Sequence, residues 1–374
     1  MVQYIHELPE WPRFRWDRER LAGKLAAVRH EQGRLLGRME GLGFPLRQEA
    51  VLGTLTQDVL KTSEIEGETL DAETVRSSIA RKLGIDIGGL KAVDRGVEGV
   101  VETMLDATRN YGQPLTEERL FTWHRSLFPA GRSGMKHIAT GIWRTDSGGP
   151  MQVVSGPLGR ERVHFQAPAA ARLSGEMRQF LDWFNGAGTD TMGDRDWVVK
   201  AALGHLWFVT VHPFEDGNGR IARAIADMAL ARSEDSAQRF YSMSAQIRLE
   251  RAEYYARLEQ AQKGTLDVTA WMEWFLVCLG HAIEGAQTAL ARVLGKARFW
   301  ESIAATPLNS RQRLVLNLLL DGLEGKLTSS KWAKLAKCSQ DTAARDILAL
   351  VELGVLARSS EGGRSTSYSL VPRP

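Results

Sequence analysis

The sequence predicts a mainly α-helical protein with a small β-hairpin in its middle and a compact helical tail, and three observations lead there. Apolar residues recur at helical spacing, as in Leu21, Leu25, Val28, Leu35, Leu36 and Met39, and again in Val51, Leu52, Leu55, Val59 and Leu60. Convincing strand alternation is confined to Gly149–Phe165 and to a short C-terminal stretch. The 374 residues, 43% hydrophobic and 25% charged, have an ordinary globular balance and room for two or three cores.

Taken in order, residues 1–110 read as a helical module whose second helix, about 51–67, stops at Gly67. Residues 111–298 form a central unit that starts with a helix capped by Thr116. His124 on that helix has no base partner or ligand spacing beside it and reads as structural. Gly141-Ile142-Trp143-Arg144 leads into the hairpin Gly149–Phe165, the one strand pair expected in this part. Trp197–Val211 is apolar at helical spacing, and Arg220–Ala231 is rich in Ala, Ile and Met, so the residues between them make a tight loop joining two helices. Arg251–Leu258 is a further helix carrying Tyr254 and Tyr255. Trp11, Trp16, Trp183, Trp271 and Trp274 sit in apolar patterns and are expected in cores.

Residues 306–374 read as a separate small domain. Helices are expected over 307–320, over 331–337 after the capping run Thr328-Ser329-Ser330, and over 340–353 after the cap Ser339. A hairpin turning at Glu361-Gly362-Gly363-Arg364 follows, giving the order of a winged helix with the third helix in the recognition position. Ten Lys and Arg face six Asp and Glu over 307–374, a modest basic excess that leaves both DNA and protein open as partners.

The chemistry is concentrated in His212-Pro213-Phe214-Glu215-Asp216-Gly217-Asn218-Gly219-Arg220-Ile221-Ala222-Arg223. Gly217 and Gly219 let the backbone curl so that consecutive N–H groups point into one concavity at a helix start. Unpaired N–H groups and the positive end of the helix dipole coincide there, which suits an anion. Arg220 and Arg223, three apart, share a helix face and add two fixed positive charges. A polyphosphate site with a histidine base and a carboxylate built into it is expected.

This run resembles the signature of the Fic family, H-x-F-x-[D/E]-G-N-G-R-x-x-R, at every fixed position. The resemblance implies a protein adenylyltransferase that moves AMP from ATP to Ser, Thr or Tyr hydroxyls of a target protein, including itself. It implies His212 as general base and Asp216 as the ligand of Mg2+. It also implies Gly217, Asn218, Gly219, Arg220, Ile221, Ala222 and Arg223 as the phosphate cradle. Phe214 would anchor the loop in the core. Thr62-Ser63-Glu64-Ile65-Glu66-Gly67 fits the family's inhibitory helix, in which Glu66 would pair with Arg223 and block the productive γ-phosphate pose. Trp11-Pro12 and Ser77–Ala80 resemble the module that precedes some Fic domains. Met151, Gln152, Val153, Val154 and Ser155 would be the flap that pairs with the target strand. His164-Phe165-Gln166-Ala167-Pro168 departs from the family's usual run after the flap. Tyr255 is the candidate nucleoside contact, although Glu250 replaces a frequent Asn nearby.

No leader peptide or membrane span is expected, and Cys278 and Cys338 read as reduced, buried residues, so a cytoplasmic setting is expected. Partners are ATP and an unidentified target protein, with a homodimer and DNA contact through 306–374 left open. Two other readings remain at this stage: a nucleotide-sensing transcriptional regulator, and a Fic enzyme that transfers a different phosphate-containing group.

Overall fold

The computed structural model describes residues 3–87, 91–93, 95–157, 159–186, 196–320, 323, 325–359 and 366–372. It is mainly helical and divides into two compact units, Met1–Ala286 and Gln287–Pro374.

The first unit opens with helices α1 (Arg18–Glu40), α2 (Phe44–Ile65), α3 (Ala72–Leu83), α4 (Arg95–Arg109) and α5 (Glu117–Leu127). Side-chain caps from Asp17, Asp71 and Thr116 start α1, α3 and α5. The five expected apolar positions of α2, Val51 to Leu60, are all buried. Gly99 lets α4 lie against the end of α5, because a Cβ there would stand 1.7 Å from the carbonyl oxygen of Ser126. Two small antiparallel hairpins follow, β1 (Arg132–Ser133) with β2 (Lys136–His137), and β3 (Gln152–Ser155) with β4 (Arg162–Gln166). The first of these corrects the expectation of one hairpin here; strands of two residues are too short to show an alternating pattern in sequence.

The unit's centre is α7 (Trp197–Val211), which follows α6 (Leu173–Asn185) and turns through a tight loop into α8 (Asn218–Glu234). Every residue of α7 from Val198 to Val211 is buried, so it reads as apolar on all sides. Around it stand α9 (Met243–Leu249), α10 (Arg251–Gln262) and the part of α11 (Thr269–Ser302) up to Ala286, tied in by Trp271 Nε1 donating to the Ala202 carbonyl at 2.9 Å. Asp58 fastens α2 to the start of α9, accepting from the Ser242 hydroxyl and from the Ser244 amide.

Trp271 and Trp274 are core residues as expected, but Trp11, Trp16 and Trp183 are only half-buried. Each keeps a polar or charged neighbour: Trp11 Nε1 donates to Glu176, Arg18 covers Trp16, and Lys200 covers Trp183. Cys278 is buried and Cys338 only half-buried.

In the second unit, α12 (Ser310–Leu320), α13 (Ser329–Leu335) and α14 (Gln340–Glu352) precede the antiparallel pair β5 (Leu356–Arg358) and β6 (Tyr368–Leu370). Thr328 and Ser339 cap α13 and α14. The core gathers Val315, Leu316, Trp332, Ile347, Leu350, Val355 and Leu356. Asp346 locks α14 to α12 through a bidentate contact with Arg311 at 2.8 and 3.0 Å. The turn expected at 361–364 lies outside the described residues. No helix among the described residues is long and apolar enough to cross a membrane.

Candidate functional site

Residues 212–217 are a loop held from several sides. His212 ends α7 in the left-handed region, with φ 51°, while its N–H still donates to Phe208 at 2.9 Å. A non-glycine residue in that region costs free energy and persists where its surroundings over-determine it. Those surroundings are identifiable. Arg144, almost wholly buried, donates from its amide to the Pro213 carbonyl and from Nε to the His212 carbonyl at 2.7 Å. Its Nη2 reaches the Pro168 carbonyl and its Nη1 the Asp146 carboxylate, so one side chain rivets the loop to the base of the β3–β4 hairpin. Phe214 is fully buried and stacks on His124 with centroids 4.1 Å apart. Asn218 closes the loop by accepting from the Phe214 amide at 3.0 Å and donating to its carbonyl at 2.9 Å.

His124 is a structural residue. Its Nδ1 accepts from the Gly141 amide, its Nε2 donates to the Asp216 carbonyl, and burial pushes its pKa down to about 4.

His212 is poised differently. Burial pushes its pKa down to about 4, and the charge of Arg144 adds to this, against the Val209 carbonyl and the carboxylates of Asp216 and Glu66. The ring keeps part of its surface open although protein atoms surround it closely, and it is neutral near pH 7. Since the Val209 carbonyl can only accept, Nδ1 at 3.2 Å carries the proton and Nε2 presents a lone pair.

Gly217 caps α8 with φ 79°, and a Cβ there would meet the Phe128 ring at 2.8 Å. The Asp216 carboxylate accepts from the Gly217 amide at 2.6 Å and from the Ser133 hydroxyl of β1. Both motif arginines are buried and both meet α2 or the turn after it. Arg223 donates from Nε to the Thr62 hydroxyl at 2.7 Å, and from Nη2 to the Thr62 carbonyl at 3.0 Å and to Glu66 Oε1 at 2.7 Å. Arg220 reaches Glu68 at 2.8 Å and lies over the Phe128 ring. A Cβ placed on Gly219 would stand 2.3 Å from Glu66 Oε1, so the Glu66 carboxylate rests over the concavity at the start of α8. Ile221 and Ala222 are fully buried and pack the helix behind it.

Tyr255 is partly exposed beside the buried Tyr254, with Arg251 against its ring. Burial, and then the nearby Glu66 carboxylate, raises its phenol above the ordinary value. Met151 is half-buried, while Gln152 to Ser155 are exposed on β3, which pairs only with β4 among the described residues. Sequence reasoning missed Arg144, Ser133 and Glu68. An arginine within the Gly-Ile-Trp-Arg run was the available signal for Arg144; nothing in the sequence marks Ser133 or Glu68.

Residues 114–230 match the Fic/DOC family model, and residues 4–85 match a domain of unknown function, DUF4172. A solved structure of a Fic family protein from Desulfovibrio desulfuricans G20 shares the fold, at 20% identity and TM-score 0.52 over 94% of this chain and 97% of that one. The chain thus has a mainly helical, Fic-type fold, and its residues 114–230 are similar to the Fic/DOC family. It has homologues at modest identity among protein adenylyltransferases. Protein adenylyltransferase Fic of Nematostella vectensis is 30% identical over 248 residues, 64% of this chain and 50% of that protein. Protein adenylyltransferase fic-1 of Caenorhabditis elegans is 37% identical over 91 residues, 24% of this chain and 16% of that protein. The chain therefore spans half or less of the length of these curated relatives.

Proposed function

We propose that this chain is a protein adenylyltransferase that moves AMP from ATP to a Ser, Thr or Tyr hydroxyl of a target protein, itself included, and that α2 restrains it. The observation that carries this reading is the anion-suited concavity at the start of α8, with His212 and Asp216 on its rim and Arg220 and Arg223 on its flank. His212 Nε2, already unprotonated near pH 7, takes the hydroxyl proton as the acceptor oxygen attacks the α-phosphorus and pyrophosphate leaves. The amides of Asn218 and Gly219 and the two guanidiniums hold the phosphates, with Gly217 shaping the turn that presents them, so positioning and charge supply most of the rate. Asp216 suits Mg2+: one carboxylate with lone pairs left over, completed by phosphate oxygens, is a usual donor set for this ion, which would neutralise phosphate charge when bound.

Met151 and the edge of β3, which among the described residues pairs only with β4, support a docking strand for the target, and the partly exposed ring of Tyr255 supports a nucleoside contact. The seat of Glu66 over Gly219 supports inhibition, because an anion already rests on the anion site and on Arg223. Helices α12 to α14 followed by β5 and β6 support a winged helix in the second unit.

Incubation with α-labelled and γ-labelled ATP in parallel tests the activity. The expected result is protein-bound α-label without γ-label, lost in His212→Ala while nucleotide binding persists. Transfer of γ-label would mean phosphoryl transfer, binding without transfer would mean sensing, and undiminished transfer in His212→Ala would remove His212 as the base.

A further inference from the structure

The β3–β4 hairpin holds a second set of reactive groups that the nucleotide site does not use. Ser155 Oγ at the end of β3 is 2.6 Å from His164 Nε2, and His164 Nδ1 is 2.8 Å from Glu259 Oε2 on α10. An irregularity in the ladder creates this approach. Val153 faces Phe165 and Val154 faces Val163, which leaves His164 as the extra residue of a β-bulge. A bulge re-aims the side chain of the strand that carries it.

The direction of the hydrogen bonds follows from the carboxylate. Lys263, and then His164, hold Glu259 down to about 2 against the opposing effect of burial. Glu259 is therefore ionised and can only accept. In the neutral ring Nδ1 must carry the hydrogen, Nε2 is left with a lone pair, and the Ser155 hydroxyl donates to it. Hydroxyl, imidazole and orienting carboxylate thus stand in the order that activates a serine nucleophile. Lys263 at 2.5 Å and Arg162 at 3.3 Å share the same carboxylate, which fixes the ring and its tautomer. Ser155 is exposed, and His164 and Glu259 keep about a quarter of their side-chain surface, 27% and 24%, so an electrophile can reach the group.

We propose that Ser155 is a nucleophilic serine, activated by His164 and oriented through Glu259, and a covalent modification site for activated acyl esters. Ser155 Oγ bonds to the acyl carbon as the bond from that carbon to the leaving oxygen breaks. The serine proton passes to His164 Nε2 and from there to the departing alkoxide. The product is an ester on the edge of β3 proposed above as the docking strand, formed without nucleotide.

A fluorophosphonate probe, which forms a stable phosphorus ester with such serines, tests this on the full chain without nucleotide. Peptide mapping should place the label on Ser155, and Ser155→Ala should lose it. His164→Ala and Glu259→Gln should slow labelling by roughly tenfold or more, with melting temperatures unchanged. p-Nitrophenyl acetate should acetylate the same residue with the same dependence. His212→Ala should label as the wild type does, which separates this test from that of the transferase. A wild-type protein unlabelled at Ser155, or one labelled there equally fast in His164→Ala, would overturn the proposal.

Discussion

Glu66→Gly isolates the contact through which we propose that α2 restrains the chain. Arg223 is nearly inaccessible, with 2% of its side chain exposed, and Glu66 keeps 31%. One charge-assisted hydrogen bond of 2.7 Å joins them, and bonds to charged groups contribute about 1.5–3 kcal/mol. If inhibition is a two-state equilibrium resting on this contact, its loss corresponds to about ten- to 150-fold activation at saturating ATP. The guanidinium does not lose its place in the variant, because the Thr62 hydroxyl and carbonyl still hold Nε and Nη2. Glu68 still holds Arg220, but with 46% of its side chain exposed it adds only about 0–1 kcal/mol. The assay is self-labelling from α-labelled ATP in wild type, Glu66→Gly and Glu66→Gly with Arg223→Ala. Activation should appear in the single variant and vanish in the double. No activation in the single variant would refute the pairing as the restraint, and activation surviving in the double would move its cause to the loosened end of α2.

Three further outcomes follow from the loop and its supports. Asn218→Ala leaves the buried amide and carbonyl of Phe214 without partners and should cost about 2–5 kcal/mol; an unchanged denaturant midpoint would contradict this. Gly217→Ala places a Cβ against Phe128 at a backbone φ of 79°, so a loss of about 1–3 kcal/mol and of nucleotide affinity is expected in thermal and binding measurements. Burial, and then the neighbouring Asp58, raise the Asp227 carboxyl well above its usual range. The folded chain therefore holds this proton more tightly than the unfolded one, and the stability it contributes is complete at low pH and lost as pH rises through the raised value. Asp227→Asn should flatten that decline in melting temperature with rising pH, and an identical pH profile in the variant would count against it.

What could be read in advance was local. The start of α14 at Gln340 depends on the capping hydroxyl of Ser339 one residue away, whereas α8 and α13 begin two residues before the expected Arg220 and Lys331. The twelve residues from His212 to Arg223 lie together because they make one loop and one helical turn, contiguous in the sequence. The Thr62–Gly67 pattern could be read for the same reason, as one turn and its stop. Sequence alone thus determined the mainly helical class, the loop between α7 and α8, and which residues stand beside one another on it. Tertiary structure decided that Arg144 clamps the His212 carbonyl, that Ser133 meets Asp216, that Glu68 takes Arg220, and that three expected core tryptophans lie half-covered. The reason is physical: capping and periodicity are satisfied within a few residues, and the composition records them. A buried guanidinium takes whichever carbonyls or carboxylates the packing brings to it, and packing depends on the whole core.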